Sequence, residues 1–403
     1  PITGTVSIKV NPNYETAGGD DGENTENQDD TRQGIADAVD ACTIDEELLD
    51  ALDDVESDVY LKTLDQLHGE PYILNSVAVI MANNLFSHQL LHRLGDRERC
   101  GTLSGGQEDS CRAAGDGDTD LWIDFVLERM DYDHPDASMR ANIDLNQVYL
   151  GLDTHTRLST FGVAGAYSQN MSKTDLNAQI EGQVFNLGFY GSQDLGLFNL
   201  DGALIYGVSR QQTQRSIDIQ GTLGAQDRFT EIVVGGSTRQ TILVDAAATQ
   251  EYRSRSGIEI QPKLGLTASH SLAGRIAETA QDGTDCGACL EVNLDPYTRM
   301  TTNMGAEARV PIELGRTFRI LPEIRGSWEH TLVGRRAGQK NAFANGTNVA
   351  WSIDGYMPDN LWSAGIGLNV ELGQDWIGYA DFDRTKLATG KDDRYSFGIR
   401  KSF

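Results

Sequence analysis

His88 and His92 in "HQLLH" stand one helical turn apart, the spacing with which a helix offers two imidazoles to one zinc ion. The Glu of H-E-x-x-H is missing and the sequence suggests no third ligand, so the pair reads as two solvated histidines on a helix face. Cys286 and Cys289 in "CGAC" have the spacing of half a zinc site or of a redox pair. With no second pair and no flanking βα pattern, a loop-tip disulfide is the expectation. Cys100 and Cys111 enclose "LSGGQ" (103–107), which spells a signature that presents a helix amino terminus to a nucleotide phosphate. That chemistry also needs GxxxxGK[ST], and Lys391 after Gly390 precedes Asp392 instead. The stretch therefore reads as small residues inside a disulfide-closed loop, with Cys42 left over. "DGDTD" (116–120) alternates carboxylates like a calcium loop, but Leu121 and Leu127 stand where that loop needs Gly and Glu. No G-x-S-x-G elbow occurs, and none of these groups makes a case for catalysis, a cofactor or a metal.

Function must therefore come from the elements. The chain has 403 residues, 43 of them Gly and 9 Pro, and a formal charge of -27. The first 120 residues hold 26 Asp and Glu against 7 Lys and Arg, so they carry -19 of that charge. This imbalance divides the chain near "AAGDGDTD" (113–120), and neither part has the basic patch that nucleic acid requires. No run approaches 18 apolar residues, which excludes a membrane-spanning helix. The chain opens on Pro1 rather than Met, and we read it as the tail of a longer precursor.

From Leu121 onward, period-two segments recur. They predict twelve strands at 121–131, 141–153, 157–169, 179–191, 197–211, 240–252, 257–270, 299–313, 317–331, 360–373, 375–387 and 393–403. Connections after even-numbered strands are tight, and those after odd-numbered strands are mostly long, above all 211–239, 271–298 and 332–359. In an antiparallel sheet this puts the tight turns at one end and the long loops at the other, the layout of an outer-membrane barrel. Charges of both signs sit in mid-strand, mostly on the parity opposite the apolar one. Glu259, Lys263, Glu307, Arg309, Arg319, Glu323, Arg325, Glu329 and Arg400 are accordingly expected to line a wet bore and pair with one another. Strands of 11 to 15 residues suit a tilted bilayer crossing better than a soluble sandwich. The last strand, with Tyr395, Phe397, Ile399 and Phe403 on one parity, must then pair with the first to remove both edges.

The amino-terminal part has another character. Residues 4–14 look like one last strand of a missing stem, and "GGDDGENTENQDD" like a disordered acidic tract. Helical patterns follow at 31–56, 57–67 and 72–95, the last too polar to meet lipid around its circumference. We divide the chain into a passenger remnant (1–30), a helical linker (31–120) and a barrel (121–403).

"LDQLHGE", comprising Leu64, Asp65, Gln66, Leu67, His68, Gly69 and Glu70, resembles a box of the autotransporters. In that family the box precedes a helix ending near "RLGD", here 93–96, and then the barrel. "LPEIRGSWEH" (321–330) is similar to a Pro- and Trp-containing strand of the family, and "YSFGIRKSF" to its carboxyl-terminal assembly signal. No match to the Asn-containing linker of self-cleaving members is found, and loop 211–239 is longer than the family would suggest.

The resemblance implies an all-β fold, a twelve-stranded antiparallel transmembrane barrel preceded by an α-helical linker. It also implies a monomeric outer-membrane translocator of a Gram-negative bacterium that secretes its own passenger, without enzymatic activity or cofactor. Its expected partners are outer-membrane lipid, the barrel-assembly machinery and periplasmic chaperones, with a helix over 57–95 plugging the bore. The alternative is a surface adhesin whose long loops bind a ligand.

Overall fold

The computed structural model describes residues 32–38, 46–53, 55, 63–97, 119–133, 139–156, 158–220, 228–255, 257–314, 318–344, 350–372, 375–387 and 390–403. The expected passenger remnant, Cys42 and the Cys100–Cys111 loop lie outside these residues.

Twelve long strands form one antiparallel ring: β1 Thr119–Asp133, β2 Arg140–His155, β3 Ser159–Thr174, β4 Ala178–Asp194, β5 Asn199–Gln220, β6 Arg228–Thr249, β7 Glu259–Ser271, β8 Tyr297–Arg309, β9 Phe318–Val333, β10 Asn360–Leu372, β11 Trp376–Lys386 and β12 Lys391–Ser402. Each pairs with its successor. β12 returns to β1, placing Ile399 opposite Ile123 and Phe397 opposite Phe125. The two Phe rings stack with centroids 5.3 Å apart, and Phe403 N donates to Thr119 O at 3.0 Å. The terminal strand thus has its partner, and the ring leaves no unpaired edge.

Alternation turns apolar side chains outward. Leu150, Phe185, Phe189, Leu204, Ile242, Leu264, Ile324, Ile366 and Phe397 are exposed, whereas Asp124, Gln147, Asn170, Gln211, Asp245, Arg309, Glu323 and Asp383 are buried inside. Such a continuous apolar belt around a polar interior is the reverse of a water-soluble sandwich and matches a lipid-facing barrel. Among the described residues no helix is long and apolar enough to cross a membrane.

Three connections differ from the sequence reading. Residues 211–239, read as a loop, instead extend β5 and β6 into a hairpin around 221–227. Beyond Gln212 the outward parity becomes polar while Ile217 and Ile219 are buried, an inversion that a lipid-facing pattern does not anticipate. Within 271–298 and 332–359 lie Gly274–Ala277, Leu290–Leu294, Arg336–Phe343 and Ala350–Tyr356, joined as a separate four-stranded sheet. This sheet, the hairpin extension and helical residues 32–38, Glu46–Asp53 and 63–67 share one core containing Ile35, Leu48, Leu64, Leu67, Ile219, Phe229, Leu290 and Trp351. A folded cap therefore sits at the long-connection end.

Ile366, at the middle of β10, is 61% exposed. Ile366→Arg should destabilise the bilayer-inserted barrel by about 2–4 kcal/mol, measured by denaturant titration. A change within error would remove Ile366 from the hydrocarbon.

Candidate functional site

The helix Pro71–Arg97 lies inside the ring and has 27 residues, hence a length of about 40 Å at 1.5 Å per residue. It rests against β2–β6, chiefly β4 and β5. Phe86, Leu90, Leu91 and Leu94 form its apolar face, packed on Trp122, Tyr149, Ala164, Ala166, Ala203 and Ala247 of the wall. Small wall residues create this seat: a Cβ on Gly188 would fall 2.9 Å from Leu90 Cδ1 and 3.0 Å from Phe86 Cε1. Polar contacts fix the helix in depth. Asn75 Nδ2 donates to Thr213 Oγ1 at 3.2 Å, Ser87 Oγ to Asp245 Oδ2 at 2.7 Å, and Gln89 Nε2 to Asp124 Oδ2 at 2.9 Å.

Each end is anchored by buried charge. At the tight-turn end Arg93 donates to Asp153 at 2.5 Å and to Asp120 at 3.3 Å while its guanidinium lies 5.0 Å from the Trp122 ring centroid. At the long-connection end Tyr72 hydrogen-bonds Glu278, whose carboxylate also takes both forks of Arg215 at 2.7 Å and Leu290 N at 2.7 Å. A buried ion pair is stabilising only when its remaining valences are met, and the Arg215–Glu278 pair meets them with Tyr72, Leu290 N and Gln66 O.

The helix expected to plug the bore over 57–95 breaks between its two helical patterns, 57–67 and 72–95. Gly69 has φ +77°, a left-handed value that favours glycine, and it turns the chain between helical residues 63–67 and Pro71. The "LDQLHGE" residues consequently sit in the cap. Leu64 and Leu67 are fully buried in its core, and Asp65 receives two bonds from Arg32 at 2.8 and 2.9 Å. Gln66 O accepts from Arg215 at 2.8 Å, and its side chain accepts from Asp218 N at 2.9 Å. His68 O accepts from Asn341 at 2.7 Å and Trp351 at 3.1 Å, Gly69 O from Gln339 at 2.8 Å, and Glu70 meets His68 at 3.1 Å. Arg215, Glu278, Gln339, Asn341 and Trp351 escaped the sequence reading because they lie in segments taken for loops. Their only signal was the alternation of apolar neighbours such as Ile217 and Ile219, or Leu290, Val292 and Leu294, amid long connections.

The predicted luminal charges cluster on the opposite wall. Arg325 reaches Glu323 at 3.0 Å, Asp381 at 3.0 Å and Asp383 at 2.6 Å. Arg309 reaches Glu323 at 2.5 Å and Glu307 at 2.6 Å, and Arg319 reaches Glu371 at 2.6 Å. Glu329 meets Arg299 at 3.1 Å, Glu259 meets Arg253 at 3.0 Å, and Arg400 meets Asp120 at 3.5 Å. Lys263, half-buried, borders a cavity of about 300 Å³ left between this wall and the helix. His88 and His92 face that wall rather than bulk solvent, 3.9 Å from Glu329 and 3.6 Å from Glu323 respectively. Tyr395, Phe397, Ile399 and Phe403 lie outward, exposed. Cys286 and Cys289 form a disulfide, with Cys289 buried in the cap core.

A family model described as the autotransporter β-domain matches residues 121–383, about two thirds of the chain. A comparison with curated proteins finds no match. Among solved structures, the translocator domain of the autotransporter NalP from Neisseria meningitidis superposes with TM-score 0.53 at 14% identity, covering 80% of this chain and 98% of that one. The β-domain of Bordetella BrkA gives 0.47 at 15% identity over 70% and 98%. The transport unit of AIDA-I from Escherichia coli gives 0.45 at 12% over 77% and 97%. With a ring of twelve strands and a helical segment ahead of it, the chain belongs to the autotransporter β-domain family, the non-enzymatic outer-membrane barrels through which a passenger is secreted.

Proposed function

We propose that helix Pro71–Arg97 is the plug that closes the translocator's bore after its own passenger has passed, and that the cap holds the plug's outer end. The observation that carries this is the helix's place in the bore, with Arg93 bound at the tight-turn end and Tyr72 at the long-connection end. An exported passenger leaves its linker threaded outward, and this polarity puts residues 32–38, 46–53 and 63–70 at the cell-surface mouth. The luminal carboxylates and guanidiniums keep their opposite wall hydrated and mutually paired, a structural role rather than a transport site.

The adhesin alternative assigns 211–239, 271–298 and 332–359 to an outside ligand. The inward contacts of these segments are instead made with the chain's own linker, through Arg215, Glu278, Gln339, Asn341 and Trp351. The outward Tyr395, Phe397, Ile399 and Phe403 would serve the barrel-assembly machinery and chaperones before insertion, since an extended aromatic strand can be read by strand addition.

Deleting residues 1–112 should raise single-channel conductance in planar bilayers several-fold; equal conductance would discard the plug. Arg215→Ala leaves Glu278 buried without its guanidinium, a loss of about 3–5 kcal/mol. Limited proteolysis should therefore cut the cap of this variant faster than that of the parent while sparing the barrel. Removal of Phe403 should lower outer-membrane yield in cells yet leave detergent refolding intact. Equal yields would assign this residue no part in assembly.

A further inference from the structure

We infer that His92, Glu307 and Glu323 form a site for a divalent transition-metal ion that joins the helix to the β8–β9 wall. His92 Nε2 lies 3.6 Å from Glu323 Oε1 and 3.8 Å from Glu307 Oε2, and one ligand atom from each residue falls within 4.8 Å of the others. These separations exceed hydrogen-bond length. They approach the roughly 3.3–3.6 Å between ligand atoms that tetrahedral legs of about 2.0–2.2 Å impose. For the two imidazole–carboxylate pairs a shift of a few tenths of an ångström would reach that spacing.

The surroundings favour a cation. Arg309 Nε lies 2.6 Å from Glu307 Oε1 and 2.5 Å from Glu323 Oε2, pairing by charge with the oxygens other than those nearest His92. Arg325 Nη1 shares Glu323 Oε1 at 3.0 Å but also holds Asp381 and Asp383, partners it keeps if an ion enters. Glu323 has a fully buried side chain, whereas His92 and Glu307 border the cavity, which offers an entry path and space for water in the fourth position. That cavity is lined by eight Asp and Glu against four Lys and Arg, a balance that concentrates cations. One imidazole with two carboxylates is a donor set that zinc accepts.

The other buried triad, Asp120, Asp153 and His155, is closed already. His155 Nε2 lies 2.5 Å from Asp153, and Arg93 spans both aspartates. At His92 the ion would add a third attachment on the side of the helix away from its apolar seat. This consequence rests on the plug reading; the site itself does not.

The test is calorimetric titration of ZnCl₂ into the folded, detergent-solubilised full chain in metal-free buffer, beside His92→Ala and Glu307→Gln, with heat-modifiable mobility confirming each barrel. One ion per chain is expected, weakened at least ~10-fold by either substitution, and Mg²⁺ at equal concentration should not replace it. Absence of binding, or binding unchanged in both variants and hence located at the cysteines, would overturn the site. Conductance with and without residues 1–112 separates the two ideas. Stoichiometric zinc binding lost in His92→Ala, beside conductance unchanged by the deletion, upholds the site and counts against the plug.

Discussion

Hydrocarbon offers no partner to a peptide group, and the pairing of β12 with β1 is what lets this chain sit in it. Without that seam both edges would lie open in lipid, each unmet amide or carbonyl costing several kcal/mol. Once the ring closes, the outward parity must be apolar and the inward parity must solve its own solvation problem. Much of the remaining structure is that solution.

The bore is solved in two halves. Along β2–β6 the wall is lined with small residues, and the helix fills the space with Phe86, Leu90, Leu91 and Leu94. Along β8–β12 the wall carries charge, met by ion pairs such as Arg325–Asp383 and Arg309–Glu323 and by the polar helix face with His88, Gln89 and His92. Neither half would suit the other side of the helix, so its rotation is fixed by the wall. Its depth is fixed by Arg93 below and by the cap above. Export and closure thus become one geometry, because the segment that follows the passenger outward is the segment that fits the bore.

The barrel was legible where burial is two-sided and regular. β10 carries Trp362, Ile366, Leu368 and Leu372 on one parity and Gly365, Gly367 and Asn369 on the other, and its expected limits of 360–373 meet the observed Asn360–Leu372. The β5–β6 extension was not legible, since past the membrane Gln212 and Gln214 point outward and Ile217 and Ile219 inward, inverting the pattern used to find strands. The cap was hidden for a related reason. Its strands are as short as four residues, and their apolar sides meet helices from a segment more than 200 residues earlier. The same distance conceals Glu307 and Glu323 from His92, because no local spacing relates a helix to two strands of a wall.

The central claim, a helix held inside the closed ring, is tested most directly by amide hydrogen exchange of the bilayer-reconstituted chain across residues 72–94. The account predicts protection comparable to that of β4 and β5, with which the helix would open as one unit. Exchange at the rate of unstructured peptide across that span, while β4 and β5 stay protected, would contradict it.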